Sequence, residues 1–142
     1  MYNNNKKFDI DLQFGQEGER WLVWLGTDQA KVEVKMERDK WMSTGNAIFE
    51  IESRGNPSGV YASEADYWAH LFRSGDKTVM AMVFQMQDLK DFITMVEAYP
   101  SFYNARQTMG GDLDDNGNPT SNLLLIPISQ LYRIGNPYAK TN

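Results

Sequence analysis

Glu33 and Lys35 stand two residues apart in Lys31-Val32-Glu33-Val34-Lys35-Met36-Glu37, a run in which charged and apolar residues alternate. Val32, Val34 and Met36 fall between four charged residues, the period-two pattern of a strand with one apolar face and one charged face. On such a strand Glu33 and Lys35 project from the same side, roughly 6.5–7 Å apart along the chain. A carboxylate can hold a hard cation, and an ammonium beside it can hold a water or a phosphate oxygen. Together they are the minimal equipment for metal-assisted phosphodiester hydrolysis. Glu37 shares their parity and points the same way if the strand runs that far. The plainer reading of Glu33 and Lys35 is an exposed strand face closed by a cross-strand ion pair.

The neighbouring elements must position that strand. Phe8, Ile10 and Leu12 alternate with Asp9, Asp11 and Gln13, which suggests a short strand or an extended lead-in. Residues 14–25, with Phe14 and the run Trp21-Leu22-Val23-Trp24-Leu25, fit a short helix, and Gly26-Thr27-Asp28-Gln29 reads as a stop and turn. Residues 38–46 form a polar loop ending in Thr44-Gly45-Asn46, and residues 47–52 a second strand carrying Glu50 and Glu52. Arg54-Gly55-Asn56-Pro57-Ser58-Gly59 is dense in turn formers. Ser63 and Asp66 have the spacing of a capping box and open a helix through Tyr67, Trp68, Leu71 and Phe72, with His70 partly buried on it.

Residues 78–86 are a continuous apolar run bounded by Gly75-Asp76 and Asp88, as in a buried central strand. Residues 88–99 then form an amphipathic helix with Leu89, Phe92, Ile93 and Val96 on one face. Residues 110–122 read as a polar loop. Within it Asp112-Leu113-Asp114-Asp115-Asn116-Gly117 matches the opening of an EF-hand loop, but Leu123 occupies the twelfth position, where a bidentate glutamate is required. A calcium loop is therefore rejected in favour of a flexible Asx-rich one. Leu123-Leu124-Leu125-Ile126 reads as a strand and residues 128–132 as a terminal helical turn. The order helix, strand, strand, helix, strand, helix predicts one α/β domain over residues 1–142, with helices covering a central mixed sheet and residues 1–7 as a flexible N-terminus.

Composition narrows the chemistry. The absence of cysteine excludes disulfides, zinc-thiolate sites and thiol nucleophiles. One histidine argues against zinc hydrolases, and no nucleophile-elbow motif supports a serine hydrolase. No apolar run approaches the ~20 residues of a transmembrane helix, and the N-terminus lacks a signal-peptide core, so a cytoplasmic protein without a membrane partner is expected. A net charge of −5 gives no global basic field to attract nucleic acid. Bound divalent cations would offset this by neutralising an acidic site and bridging it to phosphate.

The ordered motifs resemble the PD-(D/E)XK nuclease superfamily, the restriction-endonuclease-like fold that includes Holliday-junction resolvases and many phage nucleases. Gly18-Glu19-Arg20 matches its first helix and Glu33-Val34-Lys35 its E-x-K signature. Thr44-Gly45-Asn46 leading to Phe49-Glu50-Ile51-Glu52, then Pro57-Ser58-Gly59-Val60, Ala65-Asp66-Tyr67-Trp68 and Leu125-Ile126-Pro127, look like a phage-encoded branch. The resemblance covers most of residues 14–132.

It implies a Mg²⁺-dependent DNA endonuclease, with Mn²⁺ as a substitute, acting in phage DNA recombination, repair or processing in the host cytoplasm. Glu33 would bind metal, Glu19 would complete the metal shell, and Lys35 would orient or help deprotonate the attacking water. The superfamily usually places another acid on the strand before E-x-K. Here Asp28 fills that role from a turn, or Glu33 serves as the first acid and Glu50 as the second; both readings stand. Asn46, Ser58, Gly59 and Ser63 would meet phosphate through hydroxyls and backbone N–H groups, the alternative for the Ser58–Ser63 stretch being a plain turn and cap. A homodimer would suit symmetric cutting of two strands. The rival from another class is a non-catalytic nucleic-acid-binding or assembly protein that retains the fold.

Overall fold

The computed structural model describes residues 30–135. The expected strand at residues 8–12, the helix at 14–25, the turn at 26–29 and the site residues Glu19 and Asp28 lie outside them.

The alternation of valine and charge forms β1 (Val32–Glu37). A short helix, α1 (Lys40–Thr44), replaces the expected loop and leads into β2 (Asn46–Ser53), which folds back through the two-residue β3 (Asn56–Pro57). β4 (Tyr67–Ser74) and β5 (Lys77–Gln85) form a hairpin, followed by α2 (Met86–Ala98). β6 (Arg106–Leu113) and β7 (Pro119–Pro127) form a second hairpin, and short 3₁₀ helices span Pro100–Tyr103 and Ile128–Arg133. The strands make two sheets. The first is mixed, in the order β1-β4-β5, with β1 parallel to β4 and β4 antiparallel to β5. The second is antiparallel, in the order β3-β2-β7-β6.

The α/β class is therefore as expected, but in place of one central mixed sheet covered by helices the described residues form a mixed and an antiparallel sheet with one long helix, and further local expectations are corrected. The stretch after Ser63 is not a helix. Trp68, His70 and Phe72 share one face of β4 while Ala69 and Leu71 occupy the other, and both faces are buried. A strand buried on both sides loses its polar alternation, so its apolar run reads equally well as a helix. The Ser63–Asp66 pair is accordingly no capping box: the Ser63 hydroxyl accepts from Ala65 N, and the Asp66 carboxylate accepts from Lys31 N. β5, expected to be central, is an edge strand among the described residues, with Val79 half exposed. The expected loop at 110–122 is mostly strand. Asp114 Oδ1 accepts from the backbone of Asn116 and Asn118, both at 2.9 Å, and so builds the turn of the β6–β7 hairpin.

One core joins both sheets and α2. Ala47, Phe49 and Ile51 from β2 and Leu124 and Ile126 from β7 meet Trp68, Phe72 and Phe84 from the first sheet. The helix adds Met86, Leu89, Phe92, Ile93 and Val96, the apolar spacing expected of its face. The crossing from β1 to β2 is tied down at its middle. Trp41 donates its indole N–H to the Arg73 carbonyl at 2.7 Å and sets its ring edge-on to Phe72 at 5.3 Å. Asp39 accepts from Gly75 N at 2.7 Å, so both bonds fix α1 to the β4–β5 hairpin.

The turn after β3 is packed against β2 more tightly than any side chain allows. At Gly59 (φ 55°) an added Cβ would lie 2.2 Å from the Glu50 carbonyl oxygen. Gly117 (φ 78°) has the same handedness but open space around it. Gly59→Ala should therefore lower stability by roughly 3 kcal/mol, clash added to left-handed strain, while Gly117→Ala loses only about 1 kcal/mol. Urea unfolding of the two variants checks the difference, and equal losses would mean that the turn relaxes freely.

Candidate active site

Among the described residues β1 is the edge of the mixed sheet, and its register with β4 sets Glu33 beside Trp68, Lys35 beside His70 and Glu37 beside Phe72. Paired residues of a parallel ladder share a face, so all three charged residues lie on the side of β1 that turns toward the second sheet. Their environments differ sharply. Glu33 and Lys35 are exposed, whereas Glu37 is only 6% exposed. The expectation that Glu37 continues the face of Glu33 and Lys35 holds, but it ends that face inside the protein.

Glu37 is buried because its carboxylate is used. Glu37 Oε1 accepts the backbone N–H of Ile48 on β2 and lies 2.9 Å from His70 Nε2. His70, the only histidine, is completely buried. On its other side, Trp68 Nε1 lies 3.0 Å from His70 Nδ1. An indole nitrogen can only donate, so His70 Nδ1 accepts and the ring proton sits on Nε2, directed at Glu37. The network thus assigns one neutral tautomer. The Phe49 and Phe72 rings flank the imidazole at 4.7 and 5.1 Å. The chain Trp68–His70–Glu37–Ile48 therefore links β4, β1 and β2 and crosses from one sheet to the other.

Glu50 lies elsewhere. Ala47, Phe49 and Ile51 point into the core, so Glu50 falls on the opposite face of β2, half buried. Its Oε1 accepts from the Ser58 hydroxyl, and its carbonyl accepts from Val60 N at 3.3 Å. Ser58 N donates to Ile51 O at 3.0 Å, and Gly59 O accepts from Ser63 N at 3.1 Å. The Pro57-Ser58-Gly59 turn is thus closed onto Glu50 by its own hydrogen bonds. The Ser63 carbonyl is also taken, by Lys90 Nζ at 2.7 Å. Asn46 begins β2, its N–H on the Thr44 hydroxyl at 3.2 Å.

The structure therefore brings together Glu33 and Lys35, with Glu37 as their anchor, and sets Glu50, Ser58, Gly59 and Ser63 in a second cluster. Among the described residues no group of three or more His, Asp or Glu side chains is placed to hold a metal ion. A cavity of about 620 Å³ lies apart from both, lined by Phe92, Met95, Tyr99, Phe102 and Tyr103, with Arg133 stacked 5.6 Å above Phe102. No described helix is long and apolar enough to cross a membrane.

Strand parity gives the face of Glu37 but not its burial, and the helix expected around His70 is a strand. The available signal was the aromatic alternation Trp68-x-His70-x-Phe72, which favours a strand. No protein-family model matches the chain, and neither a curated protein nor a solved structure matches it.

Removing the Glu37 carboxylate strands two buried donors. Glu37→Ala should cost roughly 3 kcal/mol, and Glu37→Gln, which keeps an acceptor oxygen, clearly less. A double-mutant cycle with His70→Ala in urea unfolding should give a coupling above about 1 kcal/mol. Additive losses would show that the two side chains act independently.

Proposed function

We propose that the chain is a Mg²⁺-dependent DNA endonuclease of the PD-(D/E)XK type, hydrolysing phosphodiester bonds during phage DNA recombination, repair or processing in the host cytoplasm. One observation carries this reading. An acid and an amine two residues apart are both exposed on one face of an edge strand, and the next residue of that face is locked in the core. An ordinary solvated strand face needs no such anchor, whereas a reacting pair gains from a fixed backbone.

The metal fit is partial. Mg²⁺ is commonly held by one or two carboxylates together with waters and substrate phosphate. The described residues offer Glu33 as an open carboxylate, while Glu50 faces away and is bonded to Ser58. The companion acid in this reading is Asp28 or Glu19, both outside the described residues. A bound Mg²⁺ would supply Lewis-acid stabilisation of charge on the scissile phosphate. Glu33 supplies the anionic oxygen on this face. Lys35 supplies an ammonium with three donors, which orients the attacking water or holds a phosphate oxygen. The bulk of an acidic chain repels DNA, so binding should depend on divalent cation as strongly as cleavage does.

Cleavage assays on a four-way junction, linear duplex and single-stranded DNA, with Mg²⁺ and with EDTA, test the proposal. Wild-type protein should cut only with the cation. Glu33→Ala and Lys35→Ala should each lose at least ~100-fold in rate. Both positions are exposed, so the melting temperature should stay unchanged. DNA binding without metal-dependent cleavage would instead identify a non-catalytic binding protein. Full activity in both variants would remove the site assignment.

A further inference from the structure

We infer that the open edge of β1 pairs with the same edge of a second copy of this chain, antiparallel about a two-fold axis midway between Val34 and the partner's Val34. The inference does not depend on the nuclease reading. The other edge of β1 carries no strand among the described residues. The hydrogen-bond phase of β1 shows which backbone groups are left there. The Lys31 carbonyl accepts from Tyr67 N at 3.1 Å. In a parallel ladder this phase commits the backbone of Lys31, Glu33, Lys35 and Glu37 to β4, and turns the N–H and C=O groups of Val32, Val34 and Met36 to the open edge.

Charged residues on an edge ordinarily prevent such pairing. Here their arrangement permits one register and rejects its neighbours. With Val34 opposite Val34 of the partner subunit, Glu33 faces the partner's Lys35 and Lys35 faces the partner's Glu33. Val32 meets the partner's Met36, and every outward N–H and C=O finds a complement. A shift by two residues in either direction sets Glu33 against the partner's Glu33, or Lys35 against the partner's Lys35. A shift by one residue opposes outward backbone groups with groups already bonded to β4. Glu37 is held in its own core, so the ladder covers residues 32–36.

Exposure fits this occupant. Val34 and Met36, the apolar side chains that the pairing would cover, are 50% and 43% exposed. The product is a continuous six-stranded sheet, β5-β4-β1 joined to its copy, which removes one unpaired edge from each chain. A ladder of five residues is smaller than the ~1,000 Å² of a stable specific interface, so the dimer is weak and concentration-dependent. It also sets the partner's Lys35 closer to Glu33 than its own Lys35 lies, since opposed Cβ atoms are about 5 Å apart.

The chain has no cysteine, so Val34→Cys introduces a single thiol. Opposed Cα atoms in a hydrogen-bonded antiparallel pair are about 5.5 Å apart, within disulfide reach. Mild oxidation of folded Val34→Cys should yield mostly covalent dimer, while Val79→Cys, an equally exposed position on β5, should stay largely monomeric. In sedimentation over a concentration series, wild-type protein should dimerise, Glu33→Lys and Lys35→Glu should each remain monomeric, and the double charge swap should dimerise again. Val34→Cys cross-linking no better than Val79→Cys would overturn the inference. So would a wild-type chain that is monomeric throughout, or a double swap no better than the single changes.

Discussion

One carboxylate oxygen holds the two sheets in register. Glu37 Oε1 takes the Ile48 amide from β2 and the His70 ring from β4, while Glu37 itself belongs to β1. An unpaired carboxylate in that position would be costly, as would a buried amide without an acceptor. The two needs cancel only when β1 and β2 lie at one particular offset. The aromatic packing of Phe49 and Phe72 on His70 then fills the space around the contact and excludes water from it. Hydrophobic contact brings the sheets together but is non-directional. The polar chain from Trp68 to Ile48 selects the offset.

That constraint explains why β1 can be an edge strand and still be well placed. Edge strands have one free side and are the more easily displaced members of a sheet. β1 is held by its ladder to β4, by Asp66 at its beginning and by the buried Glu37 at its end. Between those two fixed points Glu33 and Lys35 remain in solvent. The same alternation serves two purposes: odd positions carry charge and bond to β4, and even positions carry apolar side chains and an open backbone edge. The proposed reactive pair and the proposed self-complementary edge therefore draw on one short run of residues.

Much of the fold was legible where one face is wet. β1, β2 and α2 were placed within two residues of their observed ends, because each shows the period of its own geometry. The reading failed where burial erased the pattern. Tyr67 to Phe72 carries five large or apolar residues interrupted only by His70, and the deciding fact is a neighbour on each side of β4, which no local signal encodes. β6 was missed for the opposite reason: Gly110 and Gly111 and its exposed polar residues look like loop, and only pairing with β7 makes them strand. Within the site, the pairing of Glu33 with Lys35 was legible from spacing. The separation of Glu50 from them was not, since it follows from Phe49 entering the core and turning Glu50 to the outer face of β2. His70 was unreadable as an anchor because Glu37, the partner that ties it to another strand, lies 33 residues away in the chain.

The most direct test is the nitrogen spectrum of that imidazole. His70 is the only histidine, so ¹⁵N-detected NMR of the ring needs no assignment. A single neutral tautomer is expected, with the proton on Nε2, a Nδ1 that accepts from Trp68, and a ring N–H protected from solvent exchange. A proton on Nδ1, or two tautomers averaging in rapid exchange with water, would contradict it.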